Sequence, residues 1–439
     1  MNLRVLNKWI AVSLLLLSAV GIQAQETHLL GVDELFRFGI ENSLKVKSDR
    51  VSEHIASDEL SIAKTGFLPD ITVGLTGGYV GDPTLFREGL TDAVHPYYPD
   101  WSQNYNLEVV QPLYRGGKIK RSIEKASLQK ELAQLVAHKD IAELKLILMG
   151  RYLDLFRLYR QQEVMIQNIG EAQKRLNDIQ QMKKQGMVTG NDLIRSELLL
   201  TNYQLTLREV EDNIRISSQQ LNIALGLNEE WILKPDSNFL ENPLSLASYE
   251  EYVLQAYSQY PELQMAENGI KLARKNEELV RADYLPSLSM RAANTLARPV
   301  TSTSPVQDMY LNNWNVSLVF SYKLSALYQN KKKASAAKHS VTLSQLQREQ
   351  QEQNIRTGIK SAYIRHQEAV DKVEVLNLSV KQANENYRIV YNKYKNRLAI
   401  LTDLLDASGV KLEAEMQLTT AKANVLFTYY QLLRASGNL

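Results

Sequence analysis

Gly66-Phe67-Leu68-Pro69-Asp70-Ile71 recurs 217 positions later as Asp283-Tyr284-Leu285-Pro286-Ser287-Leu288. Asn104-Tyr105-Asn106-Leu107-Glu108-Val109 recurs 211 positions later as Asn315-Val316-Ser317-Leu318-Val319-Phe320. At the same spacing of 211, Thr189-Gly190-Asn191-Asp192-Leu193-Ile194 returns as Ile400-Leu401-Thr402-Asp403-Leu404-Leu405. The two spacings differ because the first copy has the longer loop between its strand-like segments. So long a period marks a duplicated half-protein, since solenoid units run to only about 20–50 residues. The expected organisation is a segment 1–24, a first repeat over 25–230, a linker over 231–247 and a second repeat over 248–439.

Each repeat reads in the same order. A helix of about 30 residues, Val32 to Gly66 and again Ser248 to Tyr284, ends at the Leu-Pro junction. Proline stops the helix and pushes the residue before it into extended geometry. Ile71, Val73 and Leu75 then alternate with Thr72, Gly74 and Thr76, and Val316, Leu318 and Phe320 alternate with Ser317, Val319 and Ser321. Period two marks strands with one apolar face. Loops are expected between them, over Gly81 to Trp101 and Arg298 to Asn312.

Long helices come next. Lys118 to Gln185 contains no proline, and Leu148, Tyr152, Leu155 and Tyr159 step by four and three. Leu376, Val380, Ala383, Tyr387, Val390 and Tyr394 repeat this seam in the second copy. A sustained heptad seam is a coiled-coil signature, and a helix of this length extends for about 100 Å.

Composition excludes several classes. Among 439 residues there are 20 Gly, 11 Pro and no Cys, which rules out collagen-like and disulfide-stapled chains. Met1 to Ala24 has the layout of a secretory signal, with Arg4 and Lys8 ahead of the apolar run Trp9 to Val20. Removing it leaves 49 basic residues against 49 acidic, so nucleic acid is not an expected partner. No other stretch is apolar enough for a membrane helix, so after export the chain is expected either to be soluble outside the cytoplasm or to span an outer membrane as β-strands. Four strands are too few to close a membrane barrel of at least about eight, so three chains sharing about 12 strands is the natural closure.

With these residues in place the chain resembles the TolC-type outer membrane factors. The resemblance runs from Thr27 to Ala435 and rests on three features. These are the Leu68-Pro69 and Leu285-Pro286 junctions, the strand exit Gln111-Pro112-Leu113-Tyr114-Arg115-Gly116-Gly117, and the tip motifs Gly186-Met187-Val188-Thr189 and Leu404-Leu405-Asp406-Ala407. It implies a mainly α fold with a membrane β-barrel. Long antiparallel coiled-coil helices would form a tunnel, and four strands per chain would contribute to a 12-stranded trimeric barrel. The implied function is the exit duct of a tripartite efflux pump or type I secretion system, passive between periplasm and exterior. The implied place is the outer membrane of a Gram-negative bacterium, with a long periplasmic extension. The implied partners are two further copies, outer-membrane lipid, a periplasmic adaptor protein and an inner-membrane transporter of the RND, ABC or MFS type.

The resemblance also assigns residues. Asp403 and Asp406 fall where carboxylates face the pore, and three copies would make a ring that attracts cations. Asp192 and Tyr394 match positions that latch the periplasmic aperture closed in the family. The family's arginine is missing, with Arg397 standing at its glycine position and Ala399 where the arginine would fall. The expected latch is therefore Asp192 and Tyr394 with Arg397, or Arg195, as the substitute. Gly186, Thr189 and Leu401 lie at the tips expected to dock to the adaptor. No metal-binding, nucleotide-binding or nucleophile motif is present, so neither enzyme activity nor a cofactor is expected. The alternative reading is a structural or adhesive coiled-coil protein of the envelope with no lumen.

Overall fold

The computed structural model describes residues 27–236 and 246–439. The expected signal segment and part of the expected linker lie outside them. The described chain forms two compact units, each drawing segments from both halves of the sequence. One comprises residues 49–137 and 262–352; the other takes in the remaining described residues.

The first unit holds a four-stranded antiparallel sheet of β2 (Asp70–Tyr79), β5 (Trp101–Arg115), β7 (Ser287–Arg298) and β8 (Leu311–Ser321), in the order β2-β5-β7-β8. Its register lines up rows of like character. Ile71 faces Val109, which faces Ala292, which faces Val316; two residues along, Val73, Leu107, Asn294 and Trp314 form the next row. The opposite face carries Thr72, Glu108, Ala293 and Asn315, then Gly74, Asn106, Thr295 and Asn313. Side chains alternate across a pleated strand, so one face is apolar and the other polar. The apolar face has no covering layer: on β2 and β8 its large residues run from 61% exposed at Val316 to 72% at Trp314. On the polar face Arg291 grips Glu108 at 2.6 and 3.1 Å, and Thr295 donates to Asn106 at 3.3 Å. The outer edges of β2 and β8 pair with no strand among the described residues.

Two details differ from expectation here. The loop before β5 contains a small hairpin of β3 (Leu85–Glu88) and β4 (Thr91–Val94). The expected single helix ahead of each strand pair is two helices. In the first copy α1 (Val32–Asn42) meets α2 (Leu44–Thr65) at Ser43, whose ψ of 122° leaves the helical region. In the second copy α5 (Tyr249–Gln259) meets α6 (Pro261–Ala282) at Tyr260, where ψ is 115°. Pro261 lacks the N–H a continuing helix needs, which explains the second break.

The other unit is built on two helical hairpins. The helix α3 (Lys118–Lys184) passes into it and turns back as α4 (Gly190–Leu225). Likewise α7 (Ala326–Lys395) turns back as α8 (Leu401–Ser436). Leu148, Tyr152 and Leu155 of α3, Ile214 and Leu221 of α4, and Leu426 and Tyr430 of α8 form its main core. A short parallel pair closes over this core, with β1 (Thr27–Leu30) beside β6 (Ile232–Pro235). The fully buried Tyr152 donates its hydroxyl to Leu30 O at 2.8 Å and accepts from Asp236 N at 2.9 Å, tying α3 to both strands. Loss of water around that hydroxyl pushes its pKa up to about 12. Part of the expected linker is therefore a strand. None of the described helices is long and apolar enough to cross a membrane.

Candidate functional site at the hairpin tips

Both hairpins end their outgoing helix in the same way. Gly186 N donates to Lys183 O and Met187 N to Met182 O, each at 2.9 Å, with Gly186 at φ 69°. In the second tip Arg397 N donates to Tyr394 O at 3.0 Å and Leu398 N to Lys393 O at 2.8 Å, with Arg397 at φ 60°. This is the left-handed helix stop that glycine fills without strain. Arginine in it costs about 1–2 kcal/mol through its Cβ.

The return helices start differently. Thr189 caps α4: its Oγ1 accepts from Asp192 N at 3.2 Å, while Asp192 Oδ2 accepts from Thr189 N at 2.9 Å. Ile400 caps α8 and brings no side-chain oxygen, so Asp403 alone reaches back, accepting from Ile400 N at 3.3 Å. Asp192 and Asp403 are thus both engaged in starting a helix.

Beneath the tips Ile179, Tyr394, Leu401 and Leu404 are buried together, with Val188 and Tyr391 packed against them. This places the expected site residues as follows. Asp403 and Asp406 are exposed, as are Gly186 and Thr189. Leu401 is only 4% exposed, so its side chain belongs to the hairpin core and cannot dock a partner; Ile400 and Leu398 are the apolar residues standing outward there. The expected latch is not joined within one chain. Tyr394 is buried with a hydroxyl that bonds to nothing, and burial, then the nearby Asp192 charge, raises its pKa. Arg397 is exposed and makes no ion pair among the described residues.

The hairpins are instead tied by groups the sequence did not single out. Tyr391 on α7 donates its hydroxyl to Asp178 on α3 at 2.6 Å, and Lys395 stands 3.6 Å from the same carboxylate. Burial, then that carboxylate, holds the Tyr391 pKa above its ordinary value. One turn further along α3, Arg175 is 2% exposed and donates to Tyr387 and to Ser408 of α8, each at 3.2 Å. Lys411 on α8 is also buried and places its Nζ 2.7 Å from both carboxylate oxygens of Glu171. Asn168 continues the series, donating to Glu415 at 2.8 Å. Three helices are therefore bound by a polar ladder running along α3 at positions 168, 171, 175 and 178, successive sites on one helix face. A signal for it existed: Lys411 falls on the buried series Leu404, Ala407, Lys411, Ala414, a seam where charge is unexpected.

This arrangement holds helices together and presents carboxylates; it contains no nucleophile–base pair. Among the described residues no group of three or more His, Asp or Glu is placed to hold a metal ion.

Comparison with known proteins gives one family. Residues 253–438 match the model of the outer membrane efflux protein family. No curated protein matches the sequence. Among solved structures, the chain is similar to CusC, with a TM-score of 0.76 at 14% identity over 92% of each chain. It is similar to the outer membrane protein VceC of Vibrio cholerae, with a TM-score of 0.73 at 13% identity over 92% of this chain and 96% of that one. The MtrE outer membrane channel of Neisseria gonorrhoeae, in its open state, gives 0.71 at 15% identity over 92% and 88%. At such identities these likenesses establish the fold.

Proposed function

We propose that the chain is an outer-membrane exit duct, a passive conduit from periplasm to exterior, because its residues 253–438 match the model of the outer membrane efflux protein family. The observation that carries this is the sheet. It has one apolar face open to the surroundings, one polar face, and two unpaired edges. In water the apolar face would seek cover; in a bilayer it is already matched. The unpaired edges cannot remain open in lipid, where an unsatisfied backbone group costs several kcal/mol. Three copies joined β8 to β2 remove every edge and turn the polar faces toward a shared lumen. The strands have 10 to 15 residues, sufficient to span when tilted.

The tips would form the periplasmic aperture. Asp403 and Asp406, exposed in one chain, become six carboxylates in three, a ring that favours cations. The exposed turn around Gly186 and Thr189 is the surface offered to a periplasmic adaptor, which would link the duct to an inner-membrane RND, ABC or MFS-type transporter. Outer membrane, trimeric tunnel and efflux form one consistent account. The adhesive or structural alternative would leave the apolar sheet face in water.

The chain has no cysteine, so paired cysteines introduced along β2 and β8 report only the intended contact. Scanning pairs such as Thr72→Cys with Asn315→Cys should yield a covalent trimer on oxidation in membranes. Monomers alone from every pair along the two edges would refute the shared barrel.

A further inference from the structure

The stretch between Asp308 and Glu349 contains no acidic residue, yet carries Lys323, Lys331, Lys332, Lys333 and Lys338. It begins on β8 and continues into the first turns of α7. Lys331, Lys332 and Lys333 are all exposed, and no ion pair engages any of them among the described residues. At the matching start of α3 two of the three cations are paired instead, Lys118 with Asp283 and Arg121 with Glu278, while Lys120 is exposed. Consecutive helix positions are about 100° apart, so the three lysines fan across more than half the helix circumference and no single neighbouring helix can cover them all.

The residues just ahead of this run are apolar and exposed. Leu324 is 68% exposed and Tyr328 71%, with Tyr322 and Leu327 also open. They continue the uncovered face that Trp314, Val316, Leu318 and Phe320 present on β8. An apolar belt with aromatic residues, then a block of cations, is the profile of a chain leaving a bilayer. Lys333 lies about 10 Å along the helix from Ala326, within one Debye length of a headgroup layer. The opposite edge of the sheet has the reverse character. Its loops carry Asp82, Glu88, Asp92, Asp100 and Asp308 against Arg87 and Arg298, and those two arginines are paired with Asp92 and Asp308.

We propose that Lys331, Lys332 and Lys333, with Lys323 and an exposed collar of Tyr322, Leu324, Leu327 and Tyr328, form a binding surface for the phosphodiester headgroups of anionic phospholipids. The leaflet is the one at the helical edge of the sheet. The proposal rests on the sheet being membrane-embedded. Lysines near an anionic surface each contribute attraction, and the collar supplies contact with the acyl chains of the same lipid, which a free phosphate lacks. The site would favour this leaflet and set the depth at which the duct sits.

The test uses the full chain in nanodiscs of phosphatidylcholine containing phosphatidylglycerol, with a spin-labelled lipid of each headgroup reporting selectivity. The parent should prefer phosphatidylglycerol, with the preference shrinking as salt is raised. K331Q/K332Q/K333Q should lose about tenfold of that preference, and K331R/K332R/K333R should keep it. A parent without preference, or a glutamine variant that retains it, overturns the proposal. Conductance in the same preparation separates the two levels. A conducting trimer without lipid preference removes only the lipid surface, whereas a chain that neither inserts nor conducts removes the channel as well.

Discussion

The hydroxyl of Tyr391 donates to the carboxylate of Asp178 across 2.6 Å, joining the outgoing helices of the two hairpins. In the proposed duct, widening of the aperture would require the hairpins to part, and this bond would resist it. Tyr391→Phe removes it while keeping the ring, at about 1 kcal/mol for a partly exposed acceptor. The variant should still form trimers but show a severalfold higher closed-state conductance in planar bilayers. Asp178→Asn should act in the same direction and add little to the first change.

Arg397 holds a left-handed conformation that its repeat counterpart Gly186 holds without strain. Arg397→Gly should raise stability by about 1 kcal/mol, seen as a higher Tm in detergent. Gly186→Ala should lower it by a similar amount.

Lys411 is 7% exposed and meets Glu171 through both of its oxygens. Lys411→Met keeps the bulk and drops the charge, and should cost about 2 kcal/mol, because a charged hydrogen bond is lost. Glu171 is half-exposed and can be rehydrated, which limits the loss. A double-mutant cycle with Glu171→Gln should show coupling, whereas a cycle pairing Lys411→Met with a distant change should not.

His366 is 2% exposed and lies 3.1 Å from Thr428 Oγ1. That hydroxyl donates to Asn424 O, so it accepts from the imidazole N–H. Burial lowers the His366 pKa, so the unfolded chain takes up a proton before the folded one does. Stability should therefore be constant above the ordinary histidine pKa of about 6.5 and fall as pH drops below it. Denaturant midpoints at pH 7.5 and 5.5 measure this, and His366→Gln should flatten the difference.

What the sequence made legible, and what it did not, follows from the range of each interaction. Strands β2 and β8 were visible because Ile71, Val73 and Leu75, and Val316, Leu318 and Phe320, alternate with the residues between them, a local pattern. The long helices were visible because their seams repeat over many turns. Arg397 stood out by comparison with Gly186, one repeat earlier. The break at Tyr260 is announced by Pro261, whereas Ser43 carries no such mark. β1 and β6 have four residues each and hold their places through Tyr152, far away in sequence, so no local pattern reveals them. Tyr391 and Asp178 are 213 positions apart, and their meeting depends on how α3 lies against α7. Heptad spacing does not specify that lateral match. Leu401 was misplaced for a related reason: it lies at a turn, but its side chain points into the core.

The central claim is that unpaired edges of β2 and β8 close between chains into a membrane barrel with a continuous lumen. Single-channel recording of the detergent-extracted protein in a planar bilayer tests it most directly. The account predicts a trimer that conducts, favours cations, and loses that preference in the Asp403→Asn, Asp406→Asn variant. A protein that extracts into plain buffer without detergent and gives no conductance would contradict it.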